Sequence, residues 1–350
     1  MAGFEFTKYV TYEDTGSIIA IRGLNCKNGS LDLRDVKYID NSDFSKLSRS
    51  KLYVGDILYT YVGTVGEVAV VDKNDKYYLA PNVSRIRLSK DYNSDFIKQL
   101  LGSKKFYNKI VFPLIATSSQ PALSMENLRR FKLRVPSIKE QKKIASLFNA
   151  IDERIATQNK IIDKLQSLIK GIAQHCIREL INGWEYVRLG DICKITTGKL
   201  DANAQVGNGQ YPFFTCAERP SNIDSYAFDT EALLISGNGA NLGYINYHKG
   251  KFNAYQRTYV LDHFSVNIQY VKWALKVLLP QRIAIEKSSS NTPYIVLSTL
   301  ADLKIPIPNN SKQNQIADLM MSFERKLSTQ LALNDLYNKQ KQYLLRQMFI

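Results

Sequence analysis

Two short stretches carry the polar side chains best suited to recognition chemistry. They are Leu58–Gly66 (LYTYVGTVG) and Ile235–Gly243 (ISGNGANLG). In each, an apolar run gives way to a glycine-containing loop. Tyr59, Thr60, Tyr61 and Thr64 fill the first loop, and Ser236, Asn238 and Asn241 fill the second. Hydroxyls and amides of this kind donate to phosphate oxygens and match the edges of bases. Neither loop ends in the Lys-Ser/Thr of a nucleotide-phosphate loop, so a tight hairpin turn is the plainer alternative. A second polar strip recurs as Ser118, Ser119 and Gln120, and again as Ser289, Ser290 and Asn291. Asn82-Val83-Ser84-Arg85 follow an Ala in one half of the chain, with Ser84 and Arg85 the candidate contacts. Tyr255, Gln256 and Arg257 do so in the other. Arginine pairs with guanine and glutamine with adenine in the major groove. Arg22 and Arg219 are further candidates, with a plain surface charge as the alternative.

The residue types that would do covalent chemistry are missing from the patterns they need. No Asn/Asp-Pro-Pro-aromatic run exists, so the catalytic loop of an adenine methyltransferase is absent. No Gly-rich cofactor loop links a strand to a helix. No Pro-Asp is followed by Glu/Asp-x-Lys, the pattern of a common nuclease class. The four cysteines and three histidines do not cluster, which argues against a structural metal. The chain reads as non-catalytic. Its charge points toward a polyanion: Lys+Arg is 47 against Asp+Glu 32, a formal net charge of +15. Such an excess gains affinity for nucleic acid by releasing counterions, although it also aids solubility. No signal-peptide pattern or long apolar run is present, so a cytoplasmic location is expected.

The elements that must position these loops are written twice. Pro136, Gln141, Ile144, Ala145 and Leu147 match Pro308, Gln313, Ile316, Ala317 and Leu319 at an offset of 172 residues (Pro136 to Pro308). Fixed-period similarity means duplicated architecture. After each Pro, apolar residues fall at alternating steps of three and four, the seam of a coiled coil. The first seam includes Ile144, Phe148, Ile151, Ile155, Gln158, Ile162 and Leu165. The second includes Ile316, Met320, Phe323, Leu327 and Gln330. The shared glutamines near the midpoints predict an antiparallel pair whose register they fix, or else a seam that is merely wet. Each helix, at about 40 residues, spans roughly 60 Å, or about one and a half turns of duplex DNA.

The expected fold is α+β: two mixed α/β recognition modules separated by two long helices that form an antiparallel coiled coil. The expected boundaries are 1–137 for the first module, 138–182 for the first helix, 183–309 for the second module and 310–350 for the second helix. Strands are expected at 18–21, 56–59, 68–71 and 84–88, and at 211–214 and 232–235. Helices are expected over 95–109 and 268–279.

This arrangement resembles the specificity subunit of type I restriction–modification systems. Leu133-Arg134-Val135-Pro136 with Gln141–Phe148, and Ile305–Pro308 with Gln313–Leu319, carry the match. Trp184–Ile192 is similar to the family's module-opening segment, and Leu344–Phe349 to its usual C-terminus. The resemblance implies two target recognition domains that each read one half of a split DNA site. It implies helices that set the unread spacer and dock modification (methyltransferase) subunits, two in number, and restriction subunits through them. S-adenosylmethionine, ATP and Mg would belong to those partners and not to this chain. The first module departs from the pattern in having no counterpart of Trp184–Ile192, as though the chain began inside a recognition domain. The alternative from another class is a coiled-coil adaptor with two domains that do not bind DNA.

Overall fold

The computed structural model describes residues 3–27, 29–115, 121–178, 184–287 and 294–349. The chain forms two compact units that do not follow the linear order of modules and helices. Unit 1 comprises 1–159 and 333–350, and unit 2 comprises 160–332. Each unit therefore holds one module together with a piece of both long helices, Ile138–Arg178 and Asn310–Met348. An amphipathic helix of this length needs a partner for its apolar face, and a half-covered sheet needs the same. Each unit meets both needs in one core.

In unit 1 an antiparallel trio of strands runs in the order Val68–Val70, Ile57–Thr60, Val83–Ile86. A second trio of Lys37–Tyr38, Ile19–Ile21 and Tyr77–Leu79 is mixed, with the last pair parallel. The helix Ser94–Leu101 starts on Asn93, whose side chain caps the Phe96 N–H, and stops at Gly102. The expected single helix over 95–109 is thus broken. Ser103 caps a new turn, Lys104–Phe106, and the chain then loosens into wider and tighter turns up to Leu114. The core joins Ile57, Tyr59, Phe96 and Leu100 to Ala145 and Phe148 of the first long helix and to Leu345 and Phe349 beyond. Phe349 sits 5.2 Å from the Phe96 ring and 5.7 Å from Phe148. Within this unit the helix segments run antiparallel, since rising numbers on one meet falling numbers on the other. Asp152 pairs with Lys341 at 2.5 Å, Arg154 Nε donates to Tyr337 Oη at 2.9 Å, and Asn334 Nδ2 donates to Asn159 at 3.0 Å.

In unit 2 a six-stranded mixed sheet runs in the order 194–197, 258–262, 228–236, 245–254, 211–214, 221–223. Its only parallel pair among the described residues joins 213–214 to 253–254. The helix Ile268–Lys287 continues through Pro280, beyond the expected end at Leu279, with the loss of one backbone bond that proline entails. The opening segment forms a strand, Glu185–Arg188, antiparallel to Lys304–Ile307. In unit 1 the residues matching Lys304–Ile307, 132–135, form no strand. The unit 2 core joins Leu189, Ile192, Leu233, Leu261, Tyr270 and Ile305 to Leu165, Ile169 and Cys176 of the first long helix. Ile316 and Met320 of the second complete it.

Candidate nucleic-acid interface

The repeated motif first locks each module to its helix. Gln141 is 1% exposed and Gln313 is 2% exposed. Gln141 Nε2 donates to the Pro136 carbonyl at 2.9 Å, and its Oε1 accepts from the Asn93 N–H at 2.9 Å. Gln313 repeats this with Pro308 at 2.8 Å and Asn267 at 2.9 Å. Asn93 and Asn267 both cap the helix that follows. One amide therefore ties the start of the long helix to the start of the module helix. An acidic residue at a second repeat position adds to this. Asp152 accepts from Gln99 at 2.8 Å, and Glu324 binds Lys272 at 2.7 Å and Lys276 at 3.0 Å. Burial pushes the Glu324 carboxyl up, but Lys276 and Lys272 outweigh it and hold it below its ordinary value. Burial pushes the Lys272 ammonium down.

The glycine loops then turn out to be one backbone device used twice. In unit 1, Thr60 N–H donates to Glu67, Gly66 N–H to Thr60, Tyr61 N–H to Asn82, and Leu123 N–H to Tyr61. In unit 2, Ser236 donates to Tyr244, Gly243 to Ser236, Gly237 to Arg257, and Ile295 to Gly237. These four bonds, 2.8 to 3.2 Å long, correspond one to one. They fasten a hairpin loop to the corner before the next strand and to a third loop further on. Gly66 and Gly243 supply the left-handed backbone that closes each hairpin, at φ +98° and +81°. Gly237 is needed for closeness: a Cβ there would stand 2.4 Å from the Arg257 carbonyl oxygen.

This framework sorts the expected contact residues. Exposed or half-exposed at the loop corners are Thr64 in unit 1 and Asn238, Asn241, Tyr255, Gln256 and Arg257 in unit 2. Asn241 Nδ2 also donates to the Cys216 carbonyl, which braces the loop. Arg219 is exposed on the 215–220 loop. Others are corrected. Tyr59, Thr60, Ser84 and Ser236 are buried and face the domain interior. The Thr60 hydroxyl donates to the Thr64 carbonyl and accepts from the Glu67 N–H, and Ser84 donates to Tyr59. Tyr61 is half-buried against the core. Arg85 is spent on the carbonyls of Arg49 and Lys51, and Arg22 on Asp35. Ser118, Ser119, Gln120, Ser289, Ser290 and Asn291 lie outside the described residues. Asn82 lies in the segment Asn82–Arg85 that the sequence sets against Tyr255–Arg257, but only Ser84 and Arg85 of it are expected to make contacts. It is exposed, in the left-handed region at φ +69°, and occupies the corner that Arg257 occupies in unit 2. Its offset from Arg257 is 175 residues and not 172, which hides the correspondence.

The helix residues expected on the coiled-coil seams, and to dock partners, lie inward. Phe148, Gln158, Ile162, Leu165, Ile316 and Met320 are buried, and Ile144, Ile151, Ile155, Phe323, Leu327 and Gln330 are half-buried. They serve the chain's own packing. The outward apolar residues of the repeated motif are Leu147 and Leu319, 43% and 42% exposed.

The family model for the type I restriction modification DNA specificity domain matches residues 10–167 and 181–334. The chain belongs to this family. It is similar to the specificity subunit of the type I restriction enzyme EcoDI from Escherichia coli, 44% identical over 135 residues. That match covers 39% of this chain and 30% of the relative, so it spans under a third of that subunit's length. A putative type I specificity subunit, MjaX, of Methanocaldococcus jannaschii is 22% identical over 347 residues, covering 85% of this chain and 78% of its own. Among solved structures, the S subunit of a type I restriction–modification system from M. genitalium shares the fold. Its TM-score is 0.68 at 17% identity, covering 98% of this chain and 91% of that one. The α+β architecture of two modules and two long helices is thus that of the specificity subunits. Among the described residues no three-residue cluster could hold a metal, and no helix is long and apolar enough to cross a membrane.

Proposed function

We propose that this chain confers DNA sequence specificity on a type I restriction–modification complex and is itself non-catalytic. The observation that carries the reading is the duplicated loop framework: one set of backbone bonds presents different side chains in each module. That is what two readers of two different half-sites require. Thr64 in the first module and Asn238, Asn241, Tyr255, Gln256 and Arg257 in the second face the duplex, with Arg219 flanking it. The net charge of +15 supplies the attraction for phosphate. The long helices hold two methyltransferase subunits, which meet the exposed Leu147 and Leu319 at equivalent points. Restriction subunits join through them, in the cytoplasm. S-adenosylmethionine, ATP and Mg are bound by those partners.

The test is titration of the full chain, alone and with its methyltransferase subunits, against a labelled random duplex in rising salt. Neutralising about six phosphates predicts a loss of affinity on the order of 10³-fold between 50 and 200 mM salt. Binding that is absent or insensitive to salt refutes the reading. Selection from random duplexes is expected to return a split motif with an unread spacer.

A further inference from the structure

Resting on that reading, we infer that Asn82 and Arg257 are the corresponding base-reading residues of the two modules. Arg257 takes a guanine and Asn82 an adenine. The carbonyl of each accepts the equivalent framework bond, from the Tyr61 or the Gly237 N–H. Each directly precedes the strand that flanks the central strand, in the same register: Val83 opposes Thr60, and Thr258 opposes Ser236. The Cα is therefore pinned while the side chain is left outside. Both side chains are exposed, and neither makes a side-chain hydrogen bond among the described residues. Three neighbouring arginines of unit 1 are committed elsewhere: Arg22 to Asp35, Arg85 to two carbonyls, and Arg87 to Asp56 at 2.6 Å.

A left-handed residue other than glycine is uncommon, and asparagine tolerates the conformation best. Its fixed backbone spares Asn82 the cost of ordering on binding. The chemistry then follows from the donor sets. A guanidinium makes two bonds to guanine O6 and N7, and a carboxamide makes two to adenine N6 and N7. The two modules differ at this corner in the residue type that decides the base.

The experiment is selection from random duplexes with the full chain bound to its methyltransferase subunits. Wild type is compared with Arg257→Gln and Asn82→Gly, the latter keeping the left-handed backbone. Arg257→Gln is expected to lose guanine preference by about 10–100-fold at one position of one half-site, with the other half-site unchanged. Asn82→Gly is expected to relax one adenine position in the opposite half-site by a similar factor. Unaltered preferences in both variants overturn the inference while the wild-type split motif upholds the proposed function. Uniform weakening across all sequences marks these residues as phosphate contacts and overturns it too. A wild type that enriches no split motif overturns both. If either variant unfolds by circular dichroism, Arg257→Ala and Asn82→Asp replace it under the same criteria.

Discussion

Replacing Gln313 by leucine tests the clasp that joins helix to module. The side chain is 2% exposed and satisfies two main-chain groups, the Pro308 carbonyl at 2.8 Å and the Asn267 N–H at 2.9 Å. Leucine has nearly the same size, so no cavity opens. What is lost is hydrogen bonding. Each buried group left without a partner costs about 1–3 kcal/mol, so the variant should be destabilised by about 2–5 kcal/mol. With a urea slope of about 2–3 kcal/mol/M, the midpoint should fall by about 1–2 M. Both tryptophans, Trp184 and Trp273, lie in unit 2, so tryptophan fluorescence reports this unit alone. Gln141→Leu should leave that fluorescence midpoint within about 0.2 M and lower the midpoint seen by far-UV circular dichroism instead. Gln313→Glu should be destabilised at least as much, because the buried carboxylate still accepts from Asn267 but is repelled by the Pro308 carbonyl. A Gln313→Leu shift below about 0.3 M would refute the clasp as a structural device.

Removing the Phe349 ring by Phe349→Ala should cost unit 1 about 3 kcal/mol, since it packs on Phe96 and Phe148, and leave the tryptophan transition in place. Leu147→Asp with Leu319→Asp should leave the urea midpoints unchanged and weaken co-purification with methyltransferase subunits at least about tenfold. The folded pKa of Glu324 is lowered, so its contribution to stability is present above its ordinary 4.5 and lost as pH falls through the lowered value. Acid should therefore lower the tryptophan midpoint of wild type more than that of Glu324→Gln, and equal acid sensitivity would contradict the pairing. Gly237→Ala should displace the Arg257 corner, and proton exchange at the Gly237 position should rise as the bond to the Arg257 carbonyl is lost.

The long helices were legible because their apolar period extends over many turns, and the strands 57–60, 68–70 and 83–86 fall within two residues of the apolar runs that mark them. The ten-residue strand Ile245–Ala254 was not legible. Its middle, Tyr247-His248-Lys249-Gly250-Lys251, faces water at an outer stretch and carries no apolar alternation. The site was half legible. Thr60 and Ser84 have side chains suited to DNA, and a hydroxyl type says nothing about which way it points. For Thr60 a signal was there: it ends the unbroken apolar run Ile57-Leu58-Tyr59, as befits a central strand covered on both faces, and all four residues of Ile57–Thr60 are buried. Asn82 stood inside the matched segment 82–85 and was passed over for the opposite reason. Its role comes from a carbonyl bond and a left-handed backbone, which no side-chain pattern announces.

Unit 2 is one continuous stretch of chain, whereas unit 1 is closed by residues 333–350. A ribosome making this protein therefore finishes first the half it began second. The N-terminal module must wait, with Phe96 and Phe148 uncovered, until Phe349 is joined. At about 5–20 residues per second the roughly 200 residues after Phe148 take about 10–40 s to make. For that interval the nascent chain carries an open apolar face. A messenger broken late in the gene would yield a chain with a sound second module and a first that cannot close.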